Sequence, residues 1–232
     1  MQAELGGLDD ARGWAQLYAA SNGAPSARSG RSTPENTPPC IISQLFSREE
    51  VEQCLQAAAR IGSENPFAPG ELCAALDGRG HDVGYSGEHI ATYLHKDAYF
   101  QTGWPLLYDK LLRAMRSQPG YCDDPALQLR LRCIELHSYA VGGGLYEPGH
   151  CDCGSLLSMS VLLSDPEQDG VAGGQFVTWT NGEPVVHAMR GGDAVLFKSR
   201  KAHNIATVTH GMRQSLVIEL WIGGTNTRNR DG

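Results

Sequence analysis

The chain has 232 residues, 41% of them hydrophobic and 19% charged, which is enough to bury the core of one ordinary globular domain. A formal charge of −7 argues against a general attraction to nucleic acid or to an anionic membrane surface. No apolar run approaches the roughly 18 residues of a membrane helix, and the opening MQAELGGLDDARGW lacks the basic-then-apolar order of a secretory signal. A soluble, cytoplasmic protein is therefore expected. Seven scattered cysteines with no C-x2-C pair suggest neither a disulfide framework nor a structural zinc site, and fit a reducing compartment.

Residues 8–20 place Ala11, Trp14, Leu17 and Tyr18 on one helical face behind Asp9 and Asp10. Residues 21–39 are rich in Pro, Ser and Gly and almost without large apolar side chains, so residues 1–39 read as a short helix followed by a disordered linker. Composition turns apolar at Cys40. Leu45-Phe46-Ser47-Arg48-Glu49-Glu50 joins a serine cap to a glutamate three residues later, which predicts a helix over about 47–61. His89 to His95 alternates like a strand, and Trp104 to Ser117 carries helical apolar spacing with Pro105 in its first turn.

From Leu127 onward the pattern is a series of short β-rich runs: 127–140, 155–164, 174–180, 184–189, 193–198, 203–208 and 212–222. Asn181-Gly182 is a two-residue hairpin signal, and Gly191-Gly192 marks the next turn. Such a series predicts a jelly roll, so the fold class is mainly β with flanking helices (α+β) around a double-sheet core. The domain is expected to span residues 40–222, with 223–232 as a polar tail.

One constellation in this half carries chemistry. His150 and Asp152 lie two apart, so in extended backbone both point to one side, and His203 at the head of a later strand supplies a third donor. Two imidazoles and a carboxylate are the set that holds Fe(II) by one face and leaves the opposite positions open. If Thr209-His210-Gly211 is a three-residue loop, Val208 pairs with Met212 and Thr207 with Arg213, which puts His203, Thr207 and Arg213 on one face. Arg213 is then about four residues, roughly 13 Å, along the hairpin from His203. That gap suits a five-carbon diacid, with Ser215 pointing the same way.

Charge counting agrees. Fe(II) brings two positive charges, of which Asp152 takes one and the near carboxylate of a chelating 2-oxo acid the other. The far carboxylate is then left for a planar guanidinium, the group best shaped to receive it. The other histidines, His81, His89, His95, His137, His187 and His210, read first as core or surface imidazoles. His137 shares strand parity with Tyr139 and has a cavity-lining role as its alternative. Gly142-Gly143-Gly144 has no Lys-Ser/Thr after it and reads as a turn.

Together with Tyr139, Gly173-Gly174-Gln175-Phe176 and 192–197 (GDAVLF), these residues resemble the Fe(II)/2-oxoglutarate-dependent dioxygenase superfamily, in its prolyl 4-hydroxylase-like branch. The resemblance covers about residues 40–222. It implies a double-stranded β-helix with iron on His150, Asp152 and His203, and a 2-oxoglutarate tail resting on Arg213, Ser215 and the phenol of Tyr139. It also implies O2 as oxidant, ascorbate as reductant, and conversion of 2-oxoglutarate to succinate and CO2 with hydroxylation of an unactivated C–H bond. Two features depart from the pattern: Leu162 stands where many relatives place a tyrosine, which implies a looser tail site, and the ligand loop GHCDCGS carries two thiols. Cys151 and Cys153 read as incidental, with oxidant sensitivity as their sharper alternative. The substrate is a peptide or protein, most simply a prolyl side chain, or a small molecule. A non-catalytic metal-binding jelly roll is the reading from another class.

Overall fold

The computed structural model of the protein describes residues 12–13, 35–64, 89–124, 126–147 and 149–228. The helix expected over 8–20 lies outside them apart from the helical pair Arg12 and Gly13, as do residues 21–34 and 65–88. Residues 35–39 run along the domain, where the Asn36 side-chain amide donates to Asn181 Oδ1 at 2.9 Å and Lys201 Nζ to the Glu35 carbonyl at 3.4 Å.

The capping box forms as its sequence requires. Glu50 N donates to Ser47 Oγ at 3.2 Å while Glu50 Oε2 accepts from Ser47 N at 2.7 Å, opening α1 (Arg48–Glu64). A short helix α2 (Tyr99–Gly103) leads into α3 (Pro105–Arg116), which starts on its proline and buries Leu107, Leu111 and Met115. No helix among the described residues is long and apolar enough to cross a membrane.

Eleven strands are formed among the described residues: β1 (Cys40–Ile42), β2 (His89–Tyr93), β3 (Arg130–Tyr139), β4 (Leu157–Leu162), β5 (Ala172–Gly173), β6 (Phe176–Thr180), β7 (Glu183–His187), β8 (Ala194–Lys198), β9 (His203–Ile205), β10 (Val208–His210) and β11 (Arg213–Trp221). The large sheet has the order β1-β8-β4-β11-β3-β2, and all its pairs are antiparallel. Facing it are β7-β6-β9 and the pair β10-β5, which completes a double-stranded β-helix. Asn181 and Gly182, with φ of 53° and 85°, make the two-residue turn that joins β6 to β7.

Every central strand of the large sheet is buried on both faces, and the period of two sorts its side chains. Leu216, Ile218 and Leu220 of β11 join Ile134, Met159, Leu196 and the helices in one apolar core. Arg213, Ser215 and Glu219 alternate with them and face the smaller sheets. On that inner side Tyr139, Phe176, Val195, Phe197, Ile205 and Val208 form a second apolar cluster.

The hairpin expected around Gly211 is not formed. Val208 pairs with Gly173 and His210 with Ala172, whereas Arg213 pairs with Tyr139 and Ser215 with both His137 and Leu162. Gly211 does adopt the left-handed conformation at φ 72°, but the turn passes the chain from the small pair into the middle of the large sheet. Val208 and Met212 are therefore not partners, nor are Thr207 and Arg213. Two sheets share the closing segment because β11 is long and alternating enough to be covered on both faces, while β10 is a three-residue edge.

At the far end of β11 the carboxylate of Glu219 (1% exposed side chain) meets the guanidinium of Arg132 (10%) at 2.9 Å. Arg132 Nη1 also donates to the Cys153 carbonyl at 2.9 Å and to Ser155 Oγ at 3.1 Å, so one cation pins the loop after residue 150 to the sheet. Asn226 adds a bond from its side-chain amide to the Arg132 carbonyl at 2.9 Å, packing the chain beyond residue 222 against the same strand. Removing one member strands the other charge in the interior. Arg132→Met is expected to lower stability by about 3–5 kcal/mol, and Arg132→Met with Glu219→Leu to recover most of it. Guanidinium denaturation measures both, and a single-variant loss below about 1 kcal/mol would show the pair to be hydrated.

Candidate active site

The ligand loop differs in detail from the extended strand expected of it. Cys153 N donates to the Cys151 carbonyl at 2.8 Å, which makes Asp152 the centre of a three-residue turn. Its backbone is held on both sides, Asp152 N donating to the Ser199 carbonyl at 2.8 Å and Ser155 N to the Asp152 carbonyl at 3.2 Å. His203 N donates to the His150 carbonyl at 3.0 Å, joining β9 directly to the loop.

These anchors bring the three predicted donors together. Asp152 Oδ1 lies 3.7 Å from Nε2 of His150 and 3.7 Å from Nε2 of His203, and the three donor atoms fall within 4.8 Å of one another. Two donors held about 2.1 Å from one ion stand no more than about 4.2 Å apart, so each of these carboxylate–imidazole separations fits a shared metal. Both rings are oriented from behind. His150 Nδ1 meets Glu147 Oε2 at 2.9 Å, and His203 Nδ1 meets the Lys201 carbonyl at 3.0 Å. With a proton kept on each Nδ1, both Nε2 atoms face Asp152, and an entering metal would take the place of any proton they carry. Phe176 stacks on the His203 ring at 5.4 Å and 11°, with Phe197 at 4.8 Å.

Buried Asp152 Oδ2 has no hydrogen-bond partner among the described residues, an orphan that a cation would satisfy. Burial pushes the Asp152 carboxyl upward, but the charges of His203 and His150 outweigh it and hold the group well below the usual carboxylate range. Burial would also lower His150, yet Asp152 and Glu147 raise it to about 9. Hard and borderline donors, one anionic charge and two shielded imidazoles fit Fe(II) and its divalent neighbours.

Arg213 begins β11 and is 2% exposed. Its Nε donates to the Gly174 carbonyl at 2.6 Å, its Nη1 to Ser215 Oγ at 2.8 Å, and its Cζ lies 5.5 Å from the centre of the Tyr139 ring. No carboxylate pairs with it among the described residues. Burial lowers its pKa to about 10, so it stays protonated at neutral pH. Gly174, at φ 67°, permits the approach, since a Cβ there would stand 2.7 Å from Arg213 Cδ.

Tyr139 and Ser215 line the same small cavity, about 30 Å³, as His150, Asp152 and His203. A second cavity of about 180 Å³ opens beside Arg213, lined by Leu162, Gly174, Phe176, His187 and Met189. Burial and the Lys201 charge lower His187 to about 4, so its imidazole is neutral. A further cavity, about 420 Å³, lies away from this chemistry, between the start of α1 and residues 163–168, where Arg48, Glu50, Lys110 and Asp165 already have partners.

Two features escaped the sequence reading. Glu147 sits in a loop with no periodic signal, and only its spacing of three from His150 hinted at contact. Along the inner wall, His89 Nε2 meets His137 Nδ1 at 2.8 Å and His137 Nε2 meets Glu135 Oε2 at 3.0 Å. His137 therefore lines the cavity, as its parity with Tyr139 allowed, with both ring nitrogens engaged.

No family model matches the sequence, and no curated protein does. Solved structures do. An oxidoreductase of the 2OG-Fe(II) oxygenase family from Burkholderia pseudomallei is 15% identical, with a TM-score of 0.55 over 92% of this chain and 93% of that one. A prolyl hydroxylase from Trichoplax adhaerens, in complex with a hypoxia inducible factor oxygen degradation domain peptide fragment, is 15% identical with a TM-score of 0.57 over 89% and 91%. HygX from Streptomyces hygroscopicus, with nickel and 2-oxoglutarate bound, is 16% identical with a TM-score of 0.54 over 80% and 83%. The chain thus has the fold of the 2OG-Fe(II) oxygenases and prolyl hydroxylases.

A metal entering the site must displace the proton that His150 carries below about pH 9. Affinity for Ni(II) or Co(II) is expected to climb by up to tenfold per pH unit from pH 6 and to level off above about 9, with release of about one proton near neutrality. Calorimetry in buffers of different protonation enthalpy counts that proton, and a pH-independent affinity without proton release would remove the shift.

Proposed function

We propose that the chain is an Fe(II)- and 2-oxoglutarate-dependent dioxygenase that hydroxylates an unactivated C–H bond, in the manner of a prolyl 4-hydroxylase. The observation that carries this reading is Arg213, a fully buried cation without an acidic partner among the described residues, beside a cavity that receives two imidazoles and one carboxylate. An unpaired buried charge costs several kcal/mol, so a protein that keeps one is built for an anionic guest.

In this reading His150, Asp152 and His203 would hold iron, which when bound would supply the O2 activation that couples to decarboxylation of 2-oxoglutarate to succinate and CO2. Asp152 neutralises one of the two metal charges, and a dianionic 2-oxo acid divides its own between the metal and Arg213. Ser215 fixes the guanidinium plane through its 2.8 Å bond, and the Gly174 carbonyl holds Nε, so the remaining donors are presented as a fork. Tyr139 covers one face of that cation. Phe176 and Phe197 exclude water from the His203 side. Ascorbate as the maintaining reductant belongs to the same proposal.

The leading substrate is a prolyl side chain in a peptide, supported by the peptide-bound prolyl hydroxylase that shares the fold. The same chemistry on a small molecule is the second reading. It is favoured by the small volume at the three donors, about 30 Å³, which leaves little room for a bulky guest.

The test is succinate release by anaerobically iron-loaded protein given 2-oxoglutarate and then oxygen, with and without proline-rich peptides. Release that peptide stimulates supports the prolyl reading, release indifferent to peptide moves the substrate to a small molecule, and no release leaves a metal-binding jelly roll. Arg213→Ala is expected to raise the 2-oxoglutarate requirement by about 100-fold while changing Ni(II) affinity by less than about threefold. The reverse order would reassign Arg213.

A further inference from the structure

We propose that Cys151 and Cys153 are an oxidative modification site, closing to a disulfide around Asp152 and so loosening the grip on the metal. The consequence for metal rests on the His150, Asp152, His203 assignment, whereas disulfide closure itself stands on the loop geometry alone.

The two thiols already touch, with Sγ atoms 3.3 Å apart. Residues two apart in a chain have Cα atoms at most about 7 Å apart, and the three-residue turn closed by the 2.8 Å bond from Cys153 N to the Cys151 carbonyl shortens that span. The pair thus falls within the range of about 4.4–6.8 Å that a disulfide accepts, and neither strand nor helix must move. Cys153 is exposed and Cys151 half-buried, while Cys54 and Cys133 are buried. Among the described cysteines an oxidant therefore meets Cys153 first, and the thiol it touches is Cys151.

The chemistry balances with hydrogen peroxide as the oxidant. The Cys153 sulfur attacks one peroxide oxygen, the O–O bond breaks, and a sulfenic acid and one water result. The Cys151 sulfur then attacks the sulfenic sulfur, the S–O bond breaks, and the departing hydroxyl takes the thiol proton as a second water. Two thiols have lost two electrons and peroxide has gained them. Excess thiol returns the pair by exchange.

Asp152 is the central residue of the closed turn. Bringing the sulfurs from 3.3 Å to about 2.05 Å draws the two flanking residues together across it. Its backbone N–H is tied to Ser199 and its carbonyl to Ser155, so the change passes into the orientation of the side chain. A metal site tolerates donor displacements of only about 0.2 Å, and the carboxylate is the one anionic donor of the three.

The experiment treats the full chain with a small excess of hydrogen peroxide, alkylates the remaining thiols, and maps the peptide spanning residues 133–190 by tandem mass spectrometry. A second arm titrates Co(II) into reduced and oxidised protein and repeats the titration after dithiothreitol. The expected result is a Cys151–Cys153 bond, Co(II) affinity lowered at least tenfold, and recovery on reduction. Cys153→Ser should bind Co(II) like the reduced wild type and lose the response to peroxide. Alkylation of both thiols after peroxide, or sulfinic acid at Cys153 in place of the bond, overturns the site. A bond that forms without changing Co(II) affinity overturns its effect on the metal. Neither arm depends on succinate release, so an inactive protein would count against the proposed reaction and leave this inference standing.

Discussion

The register of β11 is the constraint on which the rest depends. It runs through the middle of the large sheet, with β3 on one side and β4 on the other, and both faces are buried. Leu216, Ile218 and Leu220 stabilise the helix-side core, while Arg213, Ser215 and Glu219 take the alternate positions on the inner face. A slip of one residue would put a guanidinium and a carboxylate into the apolar core and three large aliphatic side chains into the cavity. The same alternation that makes the strand stable therefore makes the site unique, and neither can be lost alone. Pairing on both edges fixes it further, because Arg213 opposite Tyr139 and Glu219 opposite Ser158 must both be satisfied.

Charge is distributed along this face in an order that burial makes meaningful. At one end Arg213 is a cation with hydrogen bonds but no counter-ion among the described residues. At the other, Glu219 is neutralised by Arg132 at 2.9 Å. Between them Asp152 is an anion kept ionised by its two imidazoles. The structural pair at the far end is closed on itself, and its extra bonds to Cys153 and Ser155 fix the loop that carries the metal ligand. The arginine at the near end holds only a carbonyl and a hydroxyl, which orient it without neutralising it. Two buried arginines on one sheet thus differ in one respect: a carboxylate pairs with Arg132, and none among the described residues pairs with Arg213.

Much of this was legible in the sequence because it depends on local pattern. The Ser47–Glu50 capping box, the proline that opens α3, the Asn181-Gly182 turn and the strand alternation each follow from a few adjacent residues. The three donors were legible as a spacing, and His203 as the head of a strand. The failure was non-local. Pairing β10 with β11 is the economical guess for consecutive strands, but β10 instead pairs with β5, a two-residue strand ending at Gly173. A Cβ at Gly173 would stand 2.1 Å from the Thr207 carbonyl oxygen, so this pairing needs the glycine. Arg213 reached the inner face by a route the hairpin did not anticipate, since parity along one strand fixes a face even when the partner strand is misjudged.

The extended backbone assumed for His150 and Asp152 was wrong in a more instructive way, because a turn does the same work by a different means. An extended strand would have aligned the two side chains and left Cys151 and Cys153 on its opposite face, far from forced contact. The three-residue turn centred on Asp152 aligns them by curvature, and curvature necessarily brings the flanking residues together. The thiol contact at 3.3 Å is therefore a geometric consequence of how the carboxylate is presented. Its support is also uneven: His203 is backed by the main-chain carbonyl of buried Lys201 in the turn before β9, and His150 by a carboxylate whose side chain is 41% exposed. Both weak points, the half-buried Glu147 and the paired thiols, lie on the loop half of the three-donor cluster, whereas the sheet half is enclosed by Phe176 and Phe197. The side chains of Glu147 and Cys153 carry this loop's contact with solvent, whereas His203 is 6% exposed and stacked on Phe176.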